Sequence, residues 1–256
     1  MAKLAVMGKG GAGKTMVVST LAYMFARRGD DVCAIDADPN PTLGMALGFP
    51  EDLIASVQPI RSLRDIIARR TGTGSAAAGS FFRLNPKVDD LPHTFSTMHR
   101  SIRLMIMGAT ASPGGGCACA ENTLVKALVS HMVLGTGETV LLDMVAGTEH
   151  LGRGTAMGVD AMLLVVEPAA RSISAARSVT ALLDDAGAHA KCRIIANKIT
   201  GPQDVDRIGR AFPEFPMVAG VSWRGEIIAA ENDGVPVFDR VEETVEELEP
   251  ILKLSS

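Results

Sequence analysis

A glycine-rich segment follows directly after a short apolar run near the start of the chain. Its residues are Gly8, Lys9, Gly10, Gly11, Ala12, Gly13, Lys14 and Thr15, and they fit the phosphate-binding pattern G-x-x-x-x-G-K-[ST]. Glycines let backbone N–H groups turn toward phosphate oxygens, the lysine places an ammonium near the outer phosphates, and the hydroxyl is set to ligate Mg²⁺ at a helix N-terminus. The segment, continued by Met16, therefore predicts a nucleoside triphosphate site in which Lys14 binds phosphate and Thr15 binds Mg²⁺.

The same loop carries a second lysine, Lys9, which the phosphate-binding pattern does not require. Two interpretations are open at this point. Lys9 is either a solvated loop side chain, or it reaches a phosphate bound by a neighbouring subunit, since Lys14 already serves the loop's own nucleotide. The second interpretation predicts a homodimer that closes over ATP.

Acidic side chains follow two further apolar runs. Asp36 and Asp38 stand in the segment Asp-Ala-Asp-Pro after one run, and Asp143 ends another, with Gly147 shortly after it. Hydrolysis by a positioned water needs one carboxylate near the water shell of Mg²⁺ and one near the γ-phosphate. We therefore expect Asp36, Asp38 and Asp143 at the magnesium and water site, and Gly147 to swing toward the γ-phosphate.

Asn197 and Lys198 close another buried run. A side-chain amide at the end of a strand can hydrogen-bond a nucleotide base, so we expect both residues to contribute to the nucleotide site.

The four cysteines fall into two classes. Cys33 and Cys192 lie within apolar runs, which is typical of buried small hydrophobic residues. Cys117 and Cys119 form a C-x-C pair after a glycine-rich stretch and supply two thiol ligands, whereas a structural zinc site needs four. Two copies meeting at a two-fold axis would supply all four, in a site suited to zinc, nickel, copper(I) or an iron–sulfur cluster. A redox pair or incidental cysteines remain the alternatives.

Short apolar runs alternate with amphipathic stretches along most of the chain. The predicted strands are 3–7, 32–36, 139–143, 161–167, 192–197 and 218–221, with a first helix over 15–28. Strands that are apolar throughout favour a mostly parallel sheet covered by helices on both faces, with ligands at the carboxyl ends of the strands. The segment 69–80 is predicted to be a surface loop, and the acidic segment 239–254 a helix.

Composition narrows the classes of partner. The chain has 256 residues, 47% hydrophobic content and a formal net charge of −4, which predicts one α/β domain over residues 1–256 without a broad basic surface for nucleic acid. Trp223 and Tyr23 form no stacking pattern for nucleic-acid bases. Apolar runs are too short to span a bilayer and the acidic terminal helix would be repelled by an anionic one, so we expect a cytoplasmic protein with no membrane partner.

Taken together, these residues resemble a known family. Lys9, Lys14 and the Asp36-Ala37-Asp38-Pro39 segment are similar to those of the deviant-Walker-A P-loop ATPases of the MinD, ParA and nitrogenase iron protein group. Within that group the chain is similar to the nickel-inserting accessory ATPases of carbon monoxide dehydrogenase, through the C-x-C segment and the segment 143–155. The similarity extends from Lys3 to about Asn197.

The resemblance implies a dimerising P-loop ATPase that uses ATP and Mg²⁺ and inserts nickel into carbon monoxide dehydrogenase. It implies that Lys9 crosses to the partner's nucleotide, that Asp38 orients the attacking water, and that Cys117 and Cys119 of two subunits bind one nickel or zinc ion. Two rival functions are an electron-transfer ATPase with an interfacial iron–sulfur cluster and a ParA- or MinD-like positioning ATPase. The latter would need a basic DNA-binding surface or an amphipathic anchor, and neither is visible in the sequence.

Overall fold

The computed structural model describes residues 2–71, 87–88, 90–108, 127–128, 137–144 and 158–255. Eight strands in these ranges form one sheet with the order β3-β4-β2-β5-β1-β6-β7-β8. The strands are β1 (Lys3–Gly8), β2 (Val32–Asp36), β3 (Ser96–His99), β4 (Ile102–Ile106), β5 (Thr139–Asp143), β6 (Ala161–Val166), β7 (Cys192–Ile199) and β8 (Met217–Ser222). All neighbours pair in parallel except β3 with β4. The predicted mostly parallel sheet is confirmed.

The register of the central strands brings the predicted chemical groups to one edge of the sheet. β1 pairs with β5 on one side and β6 on the other, with Val6 opposite Asp143 and Gly8 opposite Val165. On the next strand, Asp36 is directly opposite Asp143. The phosphate loop and both strand-terminal carboxylates therefore lie together at the carboxyl end of the sheet.

Sequence analysis missed the edge hairpin of β3 and β4. β4 is a short, mostly buried apolar run, and β3 has no apolar stripe in its sequence, so its residues are half-buried or exposed at the rim. The strands join through Arg100 and Ser101, which have φ angles of 51° and 60°. Turns in this left-handed conformation usually carry glycine, asparagine or aspartate. Because Arg100 and Ser101 take their place here, the sequence gives no turn signal.

The helices of the described residues cover both faces of the sheet, as predicted. Their bounds are α1 (Lys14–Arg27), α2 (Leu43–Ala46), α3 (Glu51–Ser56), α4 (Arg64–Thr71), α5 (Leu91–Thr94), α6 (Ala170–Asp185), α7 (Pro202–Ala211), α8 (Gly225–Asn232), α9 (Val237–Arg240) and α10 (Glu242–Leu248), with 3-10 turns at Ile60–Ser62, His189–Lys191 and Glu249–Ser255. Within the described ranges, none of these helices has the length and apolar character needed to cross a bilayer.

Two predicted segments are corrected. Residues 69–71 belong to the last turn of α4 and not to a loop, and Arg70 there donates to the Lys87 carbonyl and to Asp90; residues 72–80 lie outside the described ranges. The predicted terminal helix over 239–254 is broken at Val241, whose φ and ψ are −125° and 85°. Phe238, Val241 and Leu248, on both sides of and at the break, are buried in the core.

The core consists of two layers separated by the sheet. Successive residues of β1 alternate between them: Leu4 and Val6 pack with α1 and the C-terminal helices, while Ala5 and Met7 pack with α6. Alternation follows from the period of two along a strand. Because every central strand is buried on both faces, the sheet edge that carries the site rests on a continuous packed interior.

Leu21 on α1 is fully buried, whereas Leu182 on α6 is 41% exposed. We expect Leu21→Ala to lower the free energy of unfolding by about 2–5 kcal/mol, because it leaves a cavity against the sheet. Leu182→Ala, the same change on a helix surface, should cost no more than about 0.5 kcal/mol. Urea unfolding of both variants measures the difference, and equal losses would contradict the packing described for α1.

Candidate functional site: a phosphate loop braced by two strands

The glycine-rich loop passes so close to neighbouring strands that side chains are excluded at two of its positions. A Cβ atom on Gly8 would lie 2.6 Å from the carbonyl oxygen of Val165, and one on Gly13 would lie 2.2 Å from Nδ2 of Asn197. Gly13 also has a φ of 94°, in the left-handed region. These two glycines are therefore required by the packing of the loop.

Helix α1 begins directly after Gly13, and no side chain caps its first turn. Helix N-termini carry partial positive charge and unpaired N–H groups, which attract phosphate. Lys14, the first residue of the helix, is only 7% exposed, and its Nζ lies 3.5 Å from the carbonyl oxygen of Lys9. The ammonium thus folds back over its own loop, and its contact with phosphate stays a prediction.

Thr15 and Asp143 meet at the base of the loop. The Thr15 hydroxyl donates to Oδ2 of Asp143 at 2.6 Å, and Asp143 is 2% exposed. Burial raises the pKa of Asp143, while the Thr15 hydrogen bond and the charge of Lys14 oppose that rise. A hydroxyl and a carboxylate are oxygen ligands of the kind Mg²⁺ prefers, so this pair fits a magnesium ion beside the phosphates.

Asp36 and Asp38 have different surroundings although they are separated by a single residue. Both oxygens of Asp36 are engaged by backbone N–H groups, from Asp38 at 3.1 Å and Leu43 at 2.8 Å. Burial raises the pKa of Asp36 to about 7, and the nearby charge of Asp143 adds to that rise. Asp38 is half-buried, accepts from the Asn40 backbone N–H at 2.8 Å and lines the cavity beside the phosphate loop.

Asn197 and Lys198 brace the phosphate loop from the end of β7. Asn197 Nδ2 donates to the Ala12 carbonyl at 2.7 Å, and Lys198 Nζ donates to the Gly11 carbonyl at 2.7 Å. Lys198 lies at a bulge in the pairing of β7 with β8 and has a φ of 59°, which directs its side chain back toward the loop. Its ammonium also pairs with Glu167 at 2.5 Å, a residue that sequence analysis did not single out.

A cavity of about 600 Å³ extends from the phosphate loop along the carboxyl edge of the sheet. Gly10, Gly11, Gly13, Lys14, Thr15, Met16, Asp38, Asn197 and Lys198 line it, together with residues that sequence analysis did not assign to the site: Ser19, Asn40, Thr42, Met45, Ala46, Ser222, Trp223, Arg224, Ile227, Ile228, Glu231, Gly234, Val235 and Val237. This volume is within the range of ligand pockets. The second group follows no phosphate-binding pattern. Most of its residues lie in the segments that follow β2 and β8, and only the tertiary structure brings them to the cavity.

Several predicted residues have no described partner for their expected roles. Cys117, Cys119 and Gly147 lie outside the described residues. Lys9 is half-buried in the loop, and its contact with a second subunit stays a prediction, as does the contact of Asn197 with a base.

In the described part of the chain, no group of three or more His, Cys, Asp or Glu side chains could hold a metal ion. Cys33 and Cys192 are fully buried, and burial raises the pKa of each thiol to about 12.

The contact of Gly13 with Asn197 gives a test that needs no ligand. We expect Gly13→Ala to lower the free energy of unfolding by about 1–3 kcal/mol, because the new Cβ meets the Asn197 amide in a left-handed backbone conformation. Gly10→Ala is the matched control, since its Cβ would meet nothing within 4 Å, and it should change stability by about 0.5 kcal/mol or less. Equal stability of both variants in nucleotide-free urea unfolding would contradict this account.

The sequence of the chain is similar to those of known nucleotide-binding proteins. Residues 3–246 match the CobQ/CobB/MinD/ParA nucleotide binding domain. The chain is 39% identical over 237 residues to the carbon monoxide dehydrogenase accessory protein CooC of Rhodospirillum rubrum, covering 93% of this chain and 89% of that protein.

Two further similarities, one in sequence and one in fold, are to MinD proteins. The septum site-determining protein MinD of Thermotoga maritima is 25% identical over 247 residues, covering 90% of this chain and 78% of that protein. The solved structure of the MinD cell division protein of Aquifex aeolicus superposes with a TM-score of 0.67 and 19% identity, covering 100% of this chain and 98% of that chain. Because the family domain matches residues 3–246, nearly the whole chain, the chain belongs to the CobQ/CobB/MinD/ParA family of nucleotide-binding ATPases.

Proposed function

We propose that this protein is an ATP-hydrolysing metallochaperone that dimerises with nucleotide and inserts nickel into the active-site cluster of carbon monoxide dehydrogenase. The observation that carries the proposal is the 39% identity with CooC of Rhodospirillum rubrum over 93% of the chain. The braced phosphate loop and the Thr15–Asp143 pair supply the ATPase half of the function.

In the proposed hydrolysis, the backbone N–H groups of the loop and the Lys14 ammonium hold the β- and γ-phosphates. Mg²⁺ would be held by Thr15 with Asp143 behind it, and when bound it neutralises charge on the phosphate oxygens. Asp38 lines the cavity and positions the attacking water, since phosphoryl transfer depends mainly on geometry and charge stabilisation. Asp36 fixes the loop that carries Asp38 through its two backbone hydrogen bonds.

Two further steps extend the proposal from hydrolysis to metal delivery. Lys9 reaches the nucleotide of the partner subunit, so that ATP joins the two protomers. The dimer brings Cys117 and Cys119 of both chains together, and their four thiolates bind one nickel ion, or zinc in its place. Because metal affinity depends on converging, deprotonated thiolates, a change in the distance between the two loops on hydrolysis is sufficient to release the ion to the client enzyme.

We expect Lys9→Ala to bind ATP but to lose ATP-dependent dimerisation and to hydrolyse ATP about a hundredfold or more slowly, because the transition state loses a donor from the partner. Lys14→Ala should lose ATP affinity itself, since that lysine serves its own nucleotide. Light scattering with and without ATP, alongside calorimetry, separates the two results. Normal dimerisation of Lys9→Ala would rule out a bridging lysine.

We expect the wild-type dimer to bind about one nickel ion for every two chains and the Cys117→Ala/Cys119→Ala variant to bind none. The Cys33→Ala/Cys192→Ala variant, a matched pair of substitutions at buried thiols, should keep the wild-type stoichiometry. The metal content of each peak from size-exclusion chromatography provides the readout. Unchanged nickel in the first variant contradicts the proposed site, and a brown anaerobic preparation with charge-transfer absorption supports an iron–sulfur function instead.

A further inference from the structure

The acidic run near the C-terminus contains one glutamate that differs from the others. Glu242, Glu243, Glu246 and Glu249 are exposed, whereas the Glu247 side chain is 21% exposed and faces the end of β8. Arg224 donates to it twice, from Nη1 at 2.7 Å and Nη2 at 2.9 Å. Ser222 donates twice as well, from its hydroxyl at 2.7 Å and its backbone N–H at 3.2 Å.

These four hydrogen bonds use the full accepting capacity of the carboxylate. Partial burial by itself would raise the pKa of Glu247, but the bonds from Arg224 and Ser222 outweigh burial and hold the pKa below its usual value. A bidentate arginine–carboxylate pair fixes orientation as well as distance. Glu247 is therefore a charged anchor for both residues over the neutral pH range.

Trp223 lies between the two anchored residues. Its backbone N–H donates to the Ile199 carbonyl at 2.8 Å, so the chain around it is held by β7 as well as by α10. Its ring is not packed into the core: the residue is 53% exposed, and it lines the cavity together with Ile227 and Ile228. Ile228 is 46% exposed as well, so the two side chains present adjoining apolar surface to the cavity, as a ligand-binding groove does.

The position of Trp223 relative to the phosphate loop indicates what covers it. The cavity has a polar part at Gly10–Thr15, suited to phosphates, and an apolar part formed by Trp223, Ile227, Ile228 and Val235. A nucleoside triphosphate has the same two parts, since its phosphates are charged and its base has an apolar face. Stacking of a base on an aromatic ring contributes about 1–3 kcal/mol, and it is lost when the ring is misplaced.

We propose that Glu247 is a positioning residue for nucleotide binding: by anchoring Ser222 and Arg224, it holds Trp223 where the ring stacks on the base of the bound nucleotide. This inference rests on the ATPase half of the proposed function and is independent of nickel delivery. The proposed role of Glu247 also makes the C-terminal helix α10 part of the site, although this helix is far in sequence from the phosphate loop.

The test compares ATP with inorganic tripolyphosphate, which has the phosphates and no base. Trp223 is the single tryptophan of the chain, so its emission reports on this wall alone. We expect ATP to change the emission of the wild type and tripolyphosphate to leave it unchanged. Glu247→Ala should weaken ATP affinity roughly tenfold, and Trp223→Ala by a similar factor, with tripolyphosphate affinity preserved in both.

Glu246→Ala is the matched control, because it removes the same charge from an exposed position on the same helix and should bind ATP like the wild type. Trp223→Phe, which keeps an aromatic face, should retain most of the affinity in calorimetry. Wild-type ATP affinity in Glu247→Ala would overturn the inference, as would equal losses for ATP and tripolyphosphate or an emission that ignores ATP. At saturating ATP, where every variant carries nucleotide, nickel binding should be the same in all of them, so failure here leaves the metallochaperone proposal to its own test.

Discussion

Strand β1 lies between β5 and β6 and pairs in parallel with both, and the site depends on that arrangement. Parallel pairing places the ends of the strands side by side, so the phosphate loop leaves the sheet beside Asp143 and opposite Val165. The loop packs so closely against Val165 and Asn197 that no side chain fits between them at Gly8 or Gly13. Its glycines at positions 8 and 13 are therefore a condition of the fold, and the same close packing fixes the path of the loop backbone.

Buried polar groups around the loop are satisfied almost entirely by one another. Asp143 accepts from Thr15, Asp36 accepts from its own loop backbone, and Asn197 donates to Ala12. An unpaired buried polar group costs about 1–3 kcal/mol, so each of these contacts fixes its partner in one arrangement. The result is a loop held from β5 and β7 before any nucleotide arrives, which lowers the ordering cost of binding.

The carboxyl edge of β8 extends the same principle to the apolar half of the cavity. Where β7 braces the phosphate loop through Asn197 and Lys198, the C-terminal helix α10 anchors the end of β8 through Glu247. Both braces consist of polar side chains that reach across elements to fix a backbone segment. The acidic terminal segment thus contains one glutamate, Glu247, whose hydrogen bonds hold the end of β8.

Local sequence determined the phosphate loop, the strands that are apolar throughout and the carboxylates that end two of them, because each of these features follows from residue types at short spacing. Tertiary structure decided the rest. It gave Asp36 and Asp38 different environments, and it brought Glu247 to Arg224. It also brought the Lys198 side chain to the Gly11 carbonyl, from 187 positions away in the sequence. Short-range patterns carry no record of such contacts, since they arise only when the strands pair and the helices pack against them.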